Sequence, residues 1–174
     1  MYELEPTKDF FVGIDSDGCA FDTMELKHKE CFIHNTIKYY DLQAISKYAR
    51  EAAEFVNLYS KSRGINRFPA LVESLQWLQK RPEVAARGVT VEVPPSLLQW
   101  LEEETKLGNP ALAERVAADP DPDLEVALQW SMAVNEAVAE MVHGVPPFPM
   151  VRDCLEKLHP HCDMLVVSAT PNDA

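Results

Sequence analysis

The sequence is poor in cysteine and contains no long apolar run. Its four cysteines are widely spaced and form no Cys-x-x-Cys pair, which excludes a zinc ribbon and argues against a disulfide framework in 174 residues. No apolar run approaches the roughly 20 residues that span a bilayer, and the first residues lack the basic start and apolar stretch of a signal peptide. We therefore expect a cytoplasmic protein with reduced thiols and no membrane partner.

Positive charge is also scarce. Lysine and arginine together number 16 against 28 acidic residues, which gives a net charge of −12. An acidic surface repels phosphate backbones, so we expect no nucleic-acid partner, although a local site can still accept a small anion. Apolar residues make up 47% of the chain, enough for one globular domain, with or without an insertion.

Two short apolar runs, residues 10–14 and 164–167, predict buried strands, because each is followed by a polar loop. The stiff segment 146–149 is followed by apolar residues at helical spacing, which predicts a helix just before the second strand. A strand–helix–strand crossover implies a parallel sheet. Because typical sheets have about 4–6 strands, we expect further strands beyond Ala174.

The stretch between the two runs is predicted to be almost entirely helical. Asp121 is the expected N-cap of its longest helix. The three tryptophans of this stretch, Trp77, Trp100 and Trp130, lie in amphipathic helices, and we expect them to serve packing and not the stacking of a ligand. The predicted helices span about residues 24–39, 42–60, 67–81, 95–107, 109–118 and 122–143.

The loop after the first strand carries the residues with the clearest chemistry. Asp15 and Asp17 follow the carboxyl end of the strand, where open parallel sheets bind ligands. Two carboxylates with a backbone carbonyl between them suit Mg²⁺, and Gly18 permits a sharp turn. An ordinary surface turn is the alternative, since Asp and Gly dominate turns.

Two segments resemble motifs of the haloacid dehalogenase (HAD) superfamily. Asp-Ser-Asp-Gly-Cys-Ala-Phe-Asp-Thr, from Asp15 to Thr23, resembles the first motif, with a cysteine where the family usually has threonine. Val-Val-Ser-Ala-Thr, ending at Thr170, resembles the second motif, and the stretch from Pro147 to Leu158 is similar to the helix that usually precedes it.

The resemblance implies an α/β fold with an inserted helical cap. Residues 1–22 and 147–174 would form a Rossmann-like parallel-sheet HAD core that lacks its C-terminal strands. Residues 23–146 would form an all-α cap similar to that of the phosphoglycolate phosphatase and β-phosphoglucomutase-like branch. The family's later lysine and acidic pair would lie beyond Ala174.

The resemblance also implies roles for individual residues. Asp15 would be the nucleophile that forms an aspartyl-phosphate, and Asp17 would be the general acid and base. Mg²⁺ would bind the Asp15 carboxylate and the Asp17 carbonyl. Ser168 would bind a phosphoryl oxygen, assisted by the amides of Gly18 and Ala169.

The function implied is a Mg²⁺-dependent phosphatase acting on a small phosphorylated metabolite. The acidic residue at position 17 favours phosphoryl transfer over carbon–halogen cleavage. A phosphomutase, a phosphonate hydrolase and a non-catalytic HAD-like binding module remain alternatives, and the oligomeric state stays open. The Schiff-base lysine that phosphonate cleavage usually needs cannot be assigned among Lys27, Lys29, Lys38 and Lys47.

Two basic segments are candidates for substrate specificity. Lys27 and His28 follow the first motif closely and could steer an anionic substrate, although a solvated helix face is the common alternative. Arg63, Asn66 and Arg67 surround a glycine turn, and arginine forks suit phosphate or carboxylate groups. Pairing of Arg67 with a nearby acid is the alternative there.

Overall fold

The computed structural model describes residues 5–167 of the chain. It contains two compact units. The sheet unit comprises residues up to Leu26 together with those from Val142 onward, and the helical unit is Lys27–Met141. Ser168 and Ala169, both predicted to bind phosphate, lie outside the described residues.

Helices dominate the chain, and the described strands are two. The elements in order are β1 (Phe10–Ile14), α1 (Met24–Leu26), a first π-helical segment (Lys27–Phe32), α2 (Ile33–Tyr39), a 3-10 turn (Gln43–Ile45), α3 (Ser46–Glu54), a second π-helical segment (Phe55–Tyr59), α4 (Arg67–Gln79), α5 (Pro82–Ala85), α6 (Pro95–Glu103), α7 (Asn109–Ala118), α8 (Pro122–Met141), α9 (Val151–Leu158) and β2 (Cys162–Val166). A mixed α/β composition is therefore confirmed.

The sheet unit pairs the two predicted strands in parallel. Phe10 lies opposite Cys162 and Ile14 opposite Val166, so all five residues of each strand take part. The helix α9 lies between the strands in sequence and provides the crossover that parallel strands require. The parallel sheet and its connecting helix are thus confirmed.

The prediction that both strands are buried is wrong for the described residues. Phe10 is 70% exposed and Val166 is 63% exposed. Parallel strands normally have both faces covered by helices. Within the described part of this unit, α9 contributes only eight residues, too few to cover two faces of a sheet. The sequence thus predicts the two strands correctly but does not predict their exposure.

The helical unit has its own hydrophobic core. Phe68 is almost fully buried and meets the rings of Trp100 and Trp130 edge-on, at centroid distances of 5.1 and 6.0 Å. These two tryptophans pack between helices as predicted. Trp77 also packs, against Phe55 with ring centroids 4.6 Å apart, although it is 43% exposed.

The N-cap predicted for α8 is confirmed. Asp121 Oδ1 accepts the backbone N–H groups of Asp123 and Leu124, each at 3.0 Å, and the hydroxyl of Ser96 at 2.8 Å. The hydrogen bond from Leu124, followed by that from Ser96, lowers the pKa of the Asp121 carboxyl. Such caps contribute about 1 kcal/mol to stability. Among residues 5–167, no helix combines the length and apolar character needed to cross a bilayer.

Candidate active site

The loop after β1 folds back on itself through its own backbone. The carbonyl of Ser16 accepts the N–H groups of Ala20 and Phe21, at 3.1 and 3.0 Å. The N–H of Gly18 donates to the carbonyl of Phe21 at 2.8 Å. These bonds give the Asp-Ser-Asp-Gly sequence a fixed turn and hold Asp15 at the carboxyl end of β1. They also occupy the Gly18 amide, which was predicted to bind phosphate.

Glycine is required at the turn. Gly18 has φ +70°, a left-handed backbone conformation that residues with a Cβ adopt at a cost. A Cβ at this position would lie 2.8 Å from Cγ of Met24, which is closer than real Cβ contacts. The turn therefore depends on Gly18 both for its backbone angles and for the space beside Met24.

Asp17 is oriented by a side chain at the end of the loop. The hydroxyl of Thr23 donates to Asp17 Oδ1 at 2.6 Å, and Thr23 is only 7% exposed. A short bond from a buried hydroxyl to a carboxylate limits the rotation of the carboxylate. Asp15, by contrast, is exposed. The first two carboxylates of the motif thus differ in setting: Asp17 is held by a hydrogen bond and Asp15 is open to solvent.

The loop is attached to the proline segment that precedes α9. The N–H of Phe148 donates to the carbonyl of Ala20 at 3.0 Å. An apolar cleft of about 240 Å³ lies beside this attachment. Its lining includes Ile14, Cys19, Ala20, Met150, Val151 and Leu155. The sheet unit therefore offers a small apolar cleft whose lining includes Ile14, the residue before Asp15 in the chain.

The oxygen atoms of the loop fit the requirements of Mg²⁺. Within residues 5–167, no three His, Cys, Asp or Glu side chains come together as a metal cluster. Mg²⁺ does not need such a cluster, because it keeps several waters and is commonly held by one or two carboxylates together with substrate phosphate. The exposed Asp15 carboxylate and the Asp17 carbonyl are hard oxygen donors of this kind.

The structure gives the predicted specificity residues different settings. Arg63 is exposed in the loop before α4. Asn66 is the N-cap of α4: its Oδ1 accepts the N–H of Phe68 at 3.0 Å, and its Nδ2 donates to the carbonyl of Leu107 at 3.0 Å. The Asn66 side chain thus has a structural task. Lys27 is half-buried at the start of the first π-helical segment.

His28 is buried in the helical unit, and Arg67 is half-buried there. His28 is 9% exposed, and burial, with the positive charges of Lys27 and Arg67, lowers its pKa from 6.5 to about 4. Arg67 Nη1 donates to Ser131 Oγ at 3.0 Å and to Asn135 Oδ1 at 2.6 Å. All acceptors of Arg67 Nη1 are thus neutral. The alternative in which Arg67 pairs with a nearby acid does not describe the hydrogen bonds of Nη1.

Sequence reasoning missed Ser131 and Asn135. They stand four residues apart on α8, so they share one side of that helix. Ser131 is fully buried. The sequence signal for this pair is the spacing itself: two small polar residues stand four positions apart in the middle of a helix rich in apolar residues.

Comparison of the chain with protein-family models, with curated proteins and with solved structures gives no match. The resemblance to the HAD motifs therefore remains a prediction from the sequence.

Proposed function

We propose that the protein is a Mg²⁺-dependent phosphatase of a small phosphorylated metabolite. The observation that carries this proposal is the setting of Asp15 and Asp17. Both lie in a hydrogen-bonded turn at the carboxyl end of β1, and only Asp17 is held by the hydroxyl of Thr23. An exposed carboxylate beside an oriented one suits a nucleophile working with a proton donor.

The proposed reaction has two steps. In the first, a carboxylate oxygen of Asp15 attacks phosphorus, the bond between phosphorus and the ester oxygen breaks, and Asp17 gives its proton to the leaving alkoxide. The products are an aspartyl-phosphate and an alcohol. In the second, Asp17 takes a proton from water as the water oxygen attacks phosphorus. The bond to Asp15 then breaks, which releases inorganic phosphate and restores both carboxyl groups.

The Asp15 carboxylate and the Asp17 carbonyl would hold the metal ion. When bound, Mg²⁺ would supply positive charge that offsets the charge of the phosphoryl group. Thr23 would keep the Asp17 carboxylate in one orientation for both proton transfers. Gly18 would act through the shape of the turn, since its N–H already donates to Phe21.

The test is phosphate release from a panel of sugar phosphates, phosphoglycolate and nucleotides, using the longest form of the protein that contains this chain. The proposal predicts release that requires Mg²⁺ and disappears in Asp15→Asn. The matched control is Asp22→Asn, because Asp22 is an exposed carboxylate of the same segment. Release that is unchanged in Asp15→Asn would refute the assignment. Absence of release across the panel would favour a phosphomutase, a phosphonate hydrolase or a binding module.

A further inference from the structure

The helical unit holds a partly buried guanidinium group among neutral oxygens. Arg67, the first residue of α4, donates through Nη1 to the carbonyl and hydroxyl of Ser131 and to Asn135 Oδ1, at 3.1, 3.0 and 2.6 Å. Burial lowers the pKa of Arg67. Withdrawing a charged side chain from water costs free energy unless the charge is paired and hydrogen-bonded. Nη1 has polar neighbours, but they bring no negative charge to it.

A second group in the same place lacks a hydrogen bond. His28 lies in the first π-helical segment and stacks on Phe32, with ring centroids 4.7 Å apart. Among the described residues, its Nδ1 is buried and meets no hydrogen-bond partner. Buried polar atoms are nearly always paired, so an orphaned one needs an explanation. π-helical segments also occur frequently at functional sites.

The two groups share a neighbour. The guanidinium carbon of Arg67 lies 5.2 Å from the ring centroid of Phe32, the ring on which His28 stacks. The electrostatic effect of Arg67 on the pKa of His28 is a second sign that they are close. On the α8 side, the hydroxyl of Ser131 donates to Asn109 Oδ1, which leaves its oxygen to accept from Arg67. Hydrogen bonds thus join Arg67 to Ser131 and Asn135, and His28 lies on the other side of the shared Phe32 ring contact.

We propose that His28, Arg67 and Asn135 form a binding site for an oxyanion, the carboxylate or phosphate group of a small molecule. An oxyanion brings the negative charge that the neutral acceptors of Arg67 lack, and the planar guanidinium matches its geometry. It also accepts a hydrogen bond from the Nδ1–H tautomer of His28. The Nδ2 group of Asn135 is a further donor, because its Oδ1 already accepts from Arg67.

This site stands apart from the proposed phosphatase chemistry. It is built entirely from residues of the helical unit, and it requires neither Asp15 nor a metal ion. Arg67 is a local positive charge in a chain whose net charge is −12. A local positive site of this kind attracts small anions even when the whole protein repels them.

The test follows the ring resonances of His28 by NMR in the full chain. Sodium phosphate and sodium acetate are titrated separately, with sodium chloride at matched ionic strength as the control. We expect a saturable change in the His28 signals and a rise in its pKa of about one unit or more, because a nearby anion favours the protonated ring. A response to phosphate alone, to acetate alone or to both supports the site and identifies its ligand chemistry. No saturable response to either anion overturns it.

Variants make the test specific to the cluster. Arg67→Gln should abolish the response, whereas Arg50→Gln, at an exposed arginine of α3, should retain it. The titration is repeated in Asp15→Asn, so that phosphate binding at the proposed phosphatase site is kept separate from binding at His28. If Arg67→Gln does not fold, the wild-type and Asp15→Asn titrations decide. A response that Arg67→Gln retains in full would contradict the proposal.

Discussion

The hydroxyl of Thr23 donates a 2.6 Å hydrogen bond to Oδ1 of Asp17, joining the last residue of the motif to its second aspartate. Six positions separate the two residues, and the turn between them is closed by the hydrogen bonds to the Ser16 carbonyl. Loss of the bond would leave the turn intact but would remove one restraint on the orientation of the carboxylate. Thr23 is therefore a positioning residue in the proposed reaction.

Replacing Thr23 with valine should lower the phosphatase rate while the chain remains folded. The valine fills the buried space but cannot donate to Asp17, and a misoriented acid slows both proton transfers. We expect the rate to fall by about tenfold or more, and the free energy of unfolding to fall by about 1 kcal/mol. Thr23→Ser keeps the hydroxyl and should retain most of the rate. Equal rates for the valine and serine variants would show that the hydrogen bond has no catalytic role.

Gly18→Ala should destabilise the chain for two separable reasons. A non-glycine residue at positive φ costs about 1–2 kcal/mol, and the added Cβ also collides with Met24. Gly144→Ala is the matched control, because Gly144 has φ +67° but a Cβ added there would have nothing within 4 Å. Urea unfolding of both variants should show a larger loss for Gly18→Ala, by about 1 kcal/mol or more. Equal losses would remove the collision from the explanation.

His28 should make stability depend on pH below neutrality. Its pKa in the folded chain, about 4, lies below its ordinary value of 6.5, so between these values the unfolded chain binds more protons. Stability is therefore full above about pH 6.5 and falls as pH drops toward 4. From pH 7 to pH 5 the His28 contribution should reduce the free energy of unfolding by about 2 kcal/mol. Urea unfolding of wild type and His28→Gln at both pH values measures the difference, and parallel pH profiles would contradict this prediction.

The helices of the chain were largely predictable because their end signals are local. The helix predicted over 109–118 matches Asn109–Ala118, where a glycine precedes and a proline opens the helix. Asp121 likewise indicated the start of α8. The short helix Pro82–Ala85 was missed, since four residues are too few to show a helical period.

The position of His28 could not be predicted, because the first π-helical segment is not an α-helix. In an α-helix, the 3.6-residue period determines which side chains share a face. A π-helical turn contains more residues, so side chains in and after it point in other directions than that period predicts. The sequence therefore suggested a solvated face for Lys27 and His28, and the structure buries His28.

The exposure of the strands was missed for another reason: apolar composition predicts which residues prefer burial, but not what covers them.

The central claim is that Asp15 becomes covalently phosphorylated, and the most direct measurement is the mass of the intact protein after acid quenching during turnover. The longest form that contains this chain is mixed with Mg²⁺ and its best substrate from the phosphatase panel, with Asp17→Asn used to slow release of the phosphoryl group. The account predicts a fraction of the protein heavier by one phosphoryl group, which peptide mapping places on Asp15 and which is absent in Asp15→Asn. Turnover without any such adduct, or an adduct that survives in Asp15→Asn, would contradict it.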